Sequence, residues 1–302
     1  SVAPRPRTDF GRSDEYPPME SEGQGQTAPL TVREGAQPSG KHPVVSLIPA
    51  AEPKPRTPRT QSPPTDGDFD SQLFDRMEQQ AQQQYRQVLQ QAQQQRALAP
   101  EGHPQLVRLR QVGQRIIPHS YEWNPRAKTW KWEVNLLGNK QINAWCMPGG
   151  KIAFYTGILE SLKLTDEEVA AVMGHEVAHA LREHARERMG KSAATNIGIG
   201  IASQLLGLGQ VGQTVAGYGA QLITLKFSRE DESEADLVGL ELSARAGFDP
   251  HAGITLWEKM SAANKGAPPE WMSTHPAGKT RIAEMEKNLH KVQPLYERAK
   301  KG

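Results

Sequence analysis

The sequence holds a single cysteine, Cys146, so neither an intramolecular disulfide nor a cysteine-rich zinc module is open to it. It also lacks a dominant charge. Its 36 Lys and Arg stand against 34 Asp and Glu, and a formal net charge of +2 offers no broad field for nucleic acid or an anionic membrane. Long apolar runs are missing too: no stretch reaches the roughly 18 residues that a spanning helix needs. The small-residue segment from Asn196 to Gly209 comes nearest, and Ser203 and Gln204 interrupt it. The 302 residues are nevertheless enough for one large domain or two small ones.

The apolar residues are concentrated beyond the first third of the chain. Starting at Ser1 and not at methionine, the sequence is expected to be a processed or trimmed chain. Thirteen of its 23 prolines fall in the first 64 residues, among Gly, Ser, Thr and charges of both signs. Residues 1–68 therefore read as a disordered spacer arm, with Val44-Val45-Ser46-Leu47-Ile48 too short to seed a core. Residues 69–100 follow as a glutamine-rich amphipathic helix. Phe74, Met77, Ala81, Tyr85, Val88 and Ala92 recur on one face, which is expected to pack on the same chain. Residues 101–302 form the remaining unit. Leu106, Leu109, Val112 and Ile116 mark a second helix ending near Pro118. The period then changes to alternation at Trp130, Trp132 and Val134, again at Ile142, Ala144 and Cys146, and finally through Ile152 to Tyr155. With turns at Gly138-Asn139 and Pro148-Gly149-Gly150, this predicts a small antiparallel sheet of three strands. From Thr165 the pattern is helical almost to the end, giving a mainly α member of the α+β class.

Chemistry enters with the first of these late helices. Thr165-Asp166-Glu167-Glu168 is a capping-box signature with an acidic first turn. The helix runs on into Gly174-His175-Glu176-Val177-Ala178-His179. His175 and His179, four residues apart, project from one face and suit a shared metal ion. Glu176 stands beside that ion, placed to take a proton from water. This is the H-E-x-x-H arrangement of zinc peptidases. A catalytic zinc needs a third protein ligand. His184 does not qualify, because five residues beyond His179 is roughly 140° further round the helix. The metzincin spacing also fails at Arg182 and Ala185. The better source is the helix predicted from Ser228. There Glu232 and Asp236 share a face, so that one would bind the metal while the other holds a ligand imidazole by its free N–H. Glu230, Asp231 and Glu234 read as a solvated acidic face. Residues 191–226, rich in Gly, Ala and aliphatics, read equally as a mobile lid or membrane-facing surface or as ordinary helix packing. Cys146 reads as a small core hydrophobe.

Taken in order, Gly174-His175-Glu176-Val177-Ala178-His179, the Ser228-Arg229 … Glu232 … Ala235-Asp236 signature and Thr274-His275-Pro276 resemble the HtpX/BepA-type zinc metallopeptidases. That family also takes in the prenyl-protein (CAAX) endopeptidases and the mitochondrial inner-membrane quality-control protease. The resemblance covers roughly residues 105–290. No tetratricopeptide array is expected after it, and the likeness is closest to the short periplasmic LoiP-type members. It implies a zincin-like domain holding one zinc ion per chain through His175, His179 and Glu232. It further implies Glu176 as catalytic base and Asp236 as the carboxylate behind a ligand. His275 and Arg281 match the family's late histidine–arginine pair near the metal, where they would act on the oxyanion; His275 would alternatively bind zinc itself and hold the site closed. Asn143 and Ala144 match the edge strand beside the cleft, the expected substrate-binding edge.

The expected activity is therefore metalloendopeptidase hydrolysis of unfolded or misfolded envelope proteins by zinc-activated water. The alternative is a latent protease acting mainly as a chaperone or assembly factor for outer-membrane proteins. The resemblance implies protein or peptide substrates, a periplasmic location and peripheral association with the outer membrane or its assembly machinery.

Overall fold

A computed structural model describes residues 66–188, 222, 225–264, 268–276 and 278–301. The expected disordered arm, except its last three residues, and nearly all of the 191–226 segment lie outside them. Within the described residues, helix α1 spans Asp66–Gln94 and α2 spans Pro104–Ile116. Two 3-10 turns follow, then strands β1 (Glu133–Leu137), β2 (Ala144–Met147) and β3 (Lys151–Tyr155). Helices α3 (Thr156–Leu162) and α4 (Asp166–Leu181) complete the first half. After residue 225 come α5 (Arg229–Arg245), α6 (Ala252–Ala263), α7 (Glu270–Thr274) and α8 (Lys279–Ala299). The fold is mainly helical with one small sheet, in keeping with a zincin-like domain.

That sheet corrects the expected topology. It is mixed, not antiparallel: β3 lies in the middle, pairing parallel with β1 and antiparallel with β2. Gly138-Asn139 is not a hairpin turn. Residues 138–143 instead carry the chain across the end of β3 to its far side, so that β2 becomes the opposite edge. The crossing is pinned where Gly157 N donates to Asn139 O at 2.8 Å and Thr156 Oγ1 to Asn139 O at 3.0 Å. Glycine is required at 157 because a Cβ there would sit 2.2 Å from Lys140 O.

Alternation along the strands still sets what each face buries. Val134, Leu136, Ala144, Ile152 and Phe154 join the main core with α2 and α4, while Leu137, Trp145, Met147 and Ala153 face α1. The glutamine-rich helix thus packs in cis, burying Met77, Ala81, Tyr85, Leu89 and Ala92. Tyr85 is anchored at both ends of its hydroxyl, donating to Ile152 O at 2.6 Å and accepting from Asn135 Nδ2 at 3.0 Å.

Helix α4 runs through the middle of the domain. Its capping box forms as the sequence predicts: Thr165 Oγ1 accepts from Glu168 N, and Glu168 Oε2 accepts from Thr165 N. Helix α5 begins with a second box, between Ser228 and Asp231. The two helices cross at Gly174 and Gly239, where a Cβ on Gly239 would stand 2.9 Å from His175 N. This close approach brings the histidines of α4 within reach of the carboxylates of α5. Gly239→Ala must therefore push the helices apart, and a loss of about 1–3 kcal/mol in denaturant unfolding is expected.

Candidate metal centre and active site

Four buried side chains converge where α4, α5 and the end of α7 meet: His175, His179, Glu232 and His275. One ligand atom from each lies within 4.8 Å of every other. His175 Nε2 is 3.1 Å from His179 Nε2 and 3.2 Å from His275 Nδ1, and Glu232 Oε1 is 2.9 Å from His275 Nδ1. Glu232 is also 3.4 Å from the Nε2 of both His175 and His179.

The donor set fits a metal ion on chemical grounds. His175 Nδ1 lies 3.0 Å from Asp236 Oδ1, an ion-pair distance that favours the Nδ1–H tautomer and turns the Nε2 lone pair inward. His179 Nδ1 is likewise engaged on its outer side, by His184 at 2.9 Å. Imidazole lone pairs and a carboxylate aimed at one point repel each other unless a cation lies between them. Three nitrogens and one oxygen in that arrangement are a borderline-soft set suited to zinc.

The electrostatics agree. Burial disfavours the imidazolium of His175, but the Asp236 and Glu232 carboxylates outweigh it and raise its pKa to about 9. Burial, together with the neighbouring His175 and His275, pushes His179 well below its ordinary value despite Glu232. Burial opposes ionisation of Glu232, yet the three histidines hold it well below the usual carboxylate range. Asp236 is also lowered, chiefly because Arg281 outweighs its burial.

Arg281 comes from the first turn of α8 and is buried against these carboxylates. Its Nε and NH2 hold Asp236 at 2.6 and 2.7 Å, and its NH1 lies 2.8 Å from Glu232 Oε2 and 2.9 Å from Pro276 O. The guanidinium also lies over the Trp257 ring, 4.2 Å from its centroid. All three of its nitrogens are therefore engaged on the side of Glu232 and Asp236.

Glu176 stands next to the donor set. Its Oε1 accepts from Trp271 Nε1 at 2.6 Å and lies 3.3 Å from His275 Nε2. Trp271 escaped the sequence reading, since a buried aromatic on a five-residue helix looks like any core residue. Its spacing of four from His275 was the available signal. Trp271 N also donates to Ile142 O at 2.9 Å, tying α7 to the start of the β2 edge. On that edge Asn143 and Ala144 are both buried, and Asn143 Oδ1 accepts from Ala144 N at 2.9 Å. Cys146 is half-buried nearby, and burial together with the Glu176 carboxylate pushes its thiol well up, away from the nucleophilic thiolate.

Two expectations about the acidic run of α5 change. Glu230 is exposed as expected, but Asp231 is buried in the helix cap and Glu234 is paired with Arg182 and His184. Phe227, also missed, stacks on His179 with ring centroids 4.0 Å apart.

A histidine pair one helical turn apart, a carboxylate from a second helix and a base beside them define a metallohydrolase centre of the zincin kind. The sequence profile of Peptidase family M48 matches residues 105–289, and the chain belongs to that family. It is 36% identical over 199 residues to the mitochondrial metalloendopeptidase OMA1 of Schizosaccharomyces pombe, covering 65% of this chain and 56% of that protein. Against OMA1 of Arabidopsis thaliana it is 40% identical over 150 residues, covering 50% of this chain and 30% of the relative. The beta-barrel assembly-enhancing protease of Escherichia coli is 29% identical over 196 residues, covering 61% of this chain and 39% of the relative. The chain thus spans between about a third and just over half the length of these relatives.

Proposed function

We propose that the chain is a zinc-dependent metalloendopeptidase of unfolded or misfolded envelope proteins, held latent by its own α7 segment. The functional unit in this reading is residues 101–302, with α1 packed against it. The observation that carries it is the placement of Glu176: a carboxylate on the helix of His175 and His179, beside the donor set and outside it. A purely structural metal site has no use for such a base.

Zinc held by His175, His179 and Glu232 would polarise a scissile carbonyl and lower the pKa of water to around 7. Glu176 takes the proton of the attacking water and delivers it to the leaving amine. Asp236 orients His175, and Arg281 keeps Asp236 ionised and lies against Glu232. An extended substrate would add to the β2 edge at Asn143 and Ala144, a mode that reads backbone more than side chains and favours unfolded clients.

Latency is supported by burial. Glu176 is 3% exposed, His275 2% and Trp271 0%, so no peptide bond reaches the base until residues 270–276 move. In this reading His275 fills the position that substrate needs, and Trp271 occupies the base. The proposed location is the bacterial periplasm, with peripheral association at the outer membrane. The E. coli relative's name refers to β-barrel assembly and supports an assembly-linked partner, not a compartment; the OMA1 relatives are named mitochondrial. No described helix is long and apolar enough to cross a membrane.

The test is casein hydrolysis by the unaltered chain and by His275→Ala. A several-fold rise in the variant is expected if His275 closes the site. A fall to background in the variant would instead make His275 part of the reacting machinery.

A further inference from the structure

Both histidines of the H-E-x-x-H pair have an inner nitrogen for the metal and an outer nitrogen that something must hold. For His175 that partner is Asp236, itself clamped by Arg281. We propose that His184, Glu234 and Arg182 do the same for His179: a proton chain that fixes its tautomer and its aim.

Helix α4 ends at Leu181 and does not continue to residue 184. Arg182 and Glu183 turn the chain, Glu183 with a φ of 60°, and a new helical turn at 184–188 folds His184 back beside His179. His184 is 2% exposed, and its Nδ1 lies 2.9 Å from His179 Nδ1. On its far side Nε2 lies 2.7 Å from Glu234 Oε2. Glu234 Oε1 in turn accepts from Arg182 at 2.5–2.8 Å.

The direction of every proton follows from the last member. Glu234 takes the Arg182 guanidinium on Oε1 and His184 Nε2 on Oε2, and a carboxylate so paired with a guanidinium only accepts. His184 must then carry its proton on Nε2 and leave Nδ1 as a lone pair. That lone pair accepts the Nδ1 proton of His179, which leaves His179 Nε2 free to face the donor set. Helix α5 therefore contributes at alternate positions: Glu232 to the metal, Glu234 behind His179 and Asp236 behind His175. His184 is a positioning residue, and no reacting group touches it.

This inference rests on the metal assignment proposed above, and its test reads affinity and not turnover. Zinc dissociation constants are measured on metal-stripped chains by chelator competition, with melting of the metal-free chains run in parallel. His184→Leu is expected to bind zinc about 10–100-fold more weakly, the range found when the group behind a metal-bound histidine is lost. His184→Gln should restore most of the affinity, because its amide accepts from His179 through oxygen and donates to Glu234 through nitrogen. Glu234→Gln, nearly isosteric, should weaken binding with little change in melting, and it carries the test if His184→Leu fails to fold. Equal zinc affinity in the unaltered chain, His184→Leu and Glu234→Gln would overturn the proton chain. Absence of zinc binding by the unaltered chain would overturn the metal assignment and the chain with it.

Discussion

Glu176→Gln is expected to lower casein hydrolysis by about 10²–10⁴-fold or more while leaving zinc content and melting unchanged. The amide keeps the shape of the carboxylate and still accepts from Trp271 Nε1, the contact made at 2.6 Å. What it loses is the capacity to take a proton. Because the proposed closed arrangement of residues 270–276 would lower turnover by itself, the comparison is also made in a His275→Ala background, where the base would be uncovered. Hydrolysis that survives Glu176→Gln in both backgrounds would remove Glu176 from the chemistry. A simultaneous loss of zinc would show instead that the carboxylate helps to hold the metal.

The second large effect concerns stability. Arg281→Ala strips the counter-charge from Asp236, 6% exposed, and Glu232, 1% exposed. Removing one partner of a buried ion pair leaves an uncompensated buried charge, at a cost of about 3–5 kcal/mol. For a domain of this size each kcal/mol moves the melting midpoint by about 2–4 °C. The sign with pH follows from the depressed pKa of Asp236. Its stabilisation by Arg281 is present above the ordinary carboxylate pKa and is lost as pH falls through its lower folded value. The difference in midpoint between the unaltered chain and Arg281→Ala should accordingly shrink in acid. A midpoint shift under 2 °C at neutral pH would show that Arg281 does not hold these carboxylates in place.

Much of this centre is legible in the sequence because helix geometry converts spacing into shape. His175 and His179 at an interval of four, and Glu232 and Asp236 at the same interval, must each share a face, and the Thr165–Glu168 capping box fixes where the first of those helices begins; the second box, between Ser228 and Asp231, is hidden in what reads as a solvated acidic face. His275 and Arg281 carry no such internal signal; only their likeness to a family marked them. His184 is no member of the donor set, as the spacing argues, but that argument takes the helix as unbroken and so hides where the side chain lies. The turn at Arg182 and Glu183 invalidates that assumption, and a positive φ at a glutamate is not readable from residue type. Strand direction was lost for a related reason. Alternation reports which face of a strand is buried and says nothing of which neighbour it pairs with. The strap over Gly157 that makes the sheet mixed leaves only one glycine as a trace.

Metal content most directly tests the central claim, that α4 and α5 together hold one zinc ion beside a base. Mass-spectrometric zinc analysis of the unaltered chain, His179→Ala and Glu232→Ala, each purified in the same way, should give about one zinc per chain in the first and a small fraction of that in the others. Chelator stripping should abolish hydrolysis in the His275→Ala background, and added zinc should restore it. A chain that purifies without zinc and takes none up, or one whose hydrolysis is indifferent to stripping, would contradict the account.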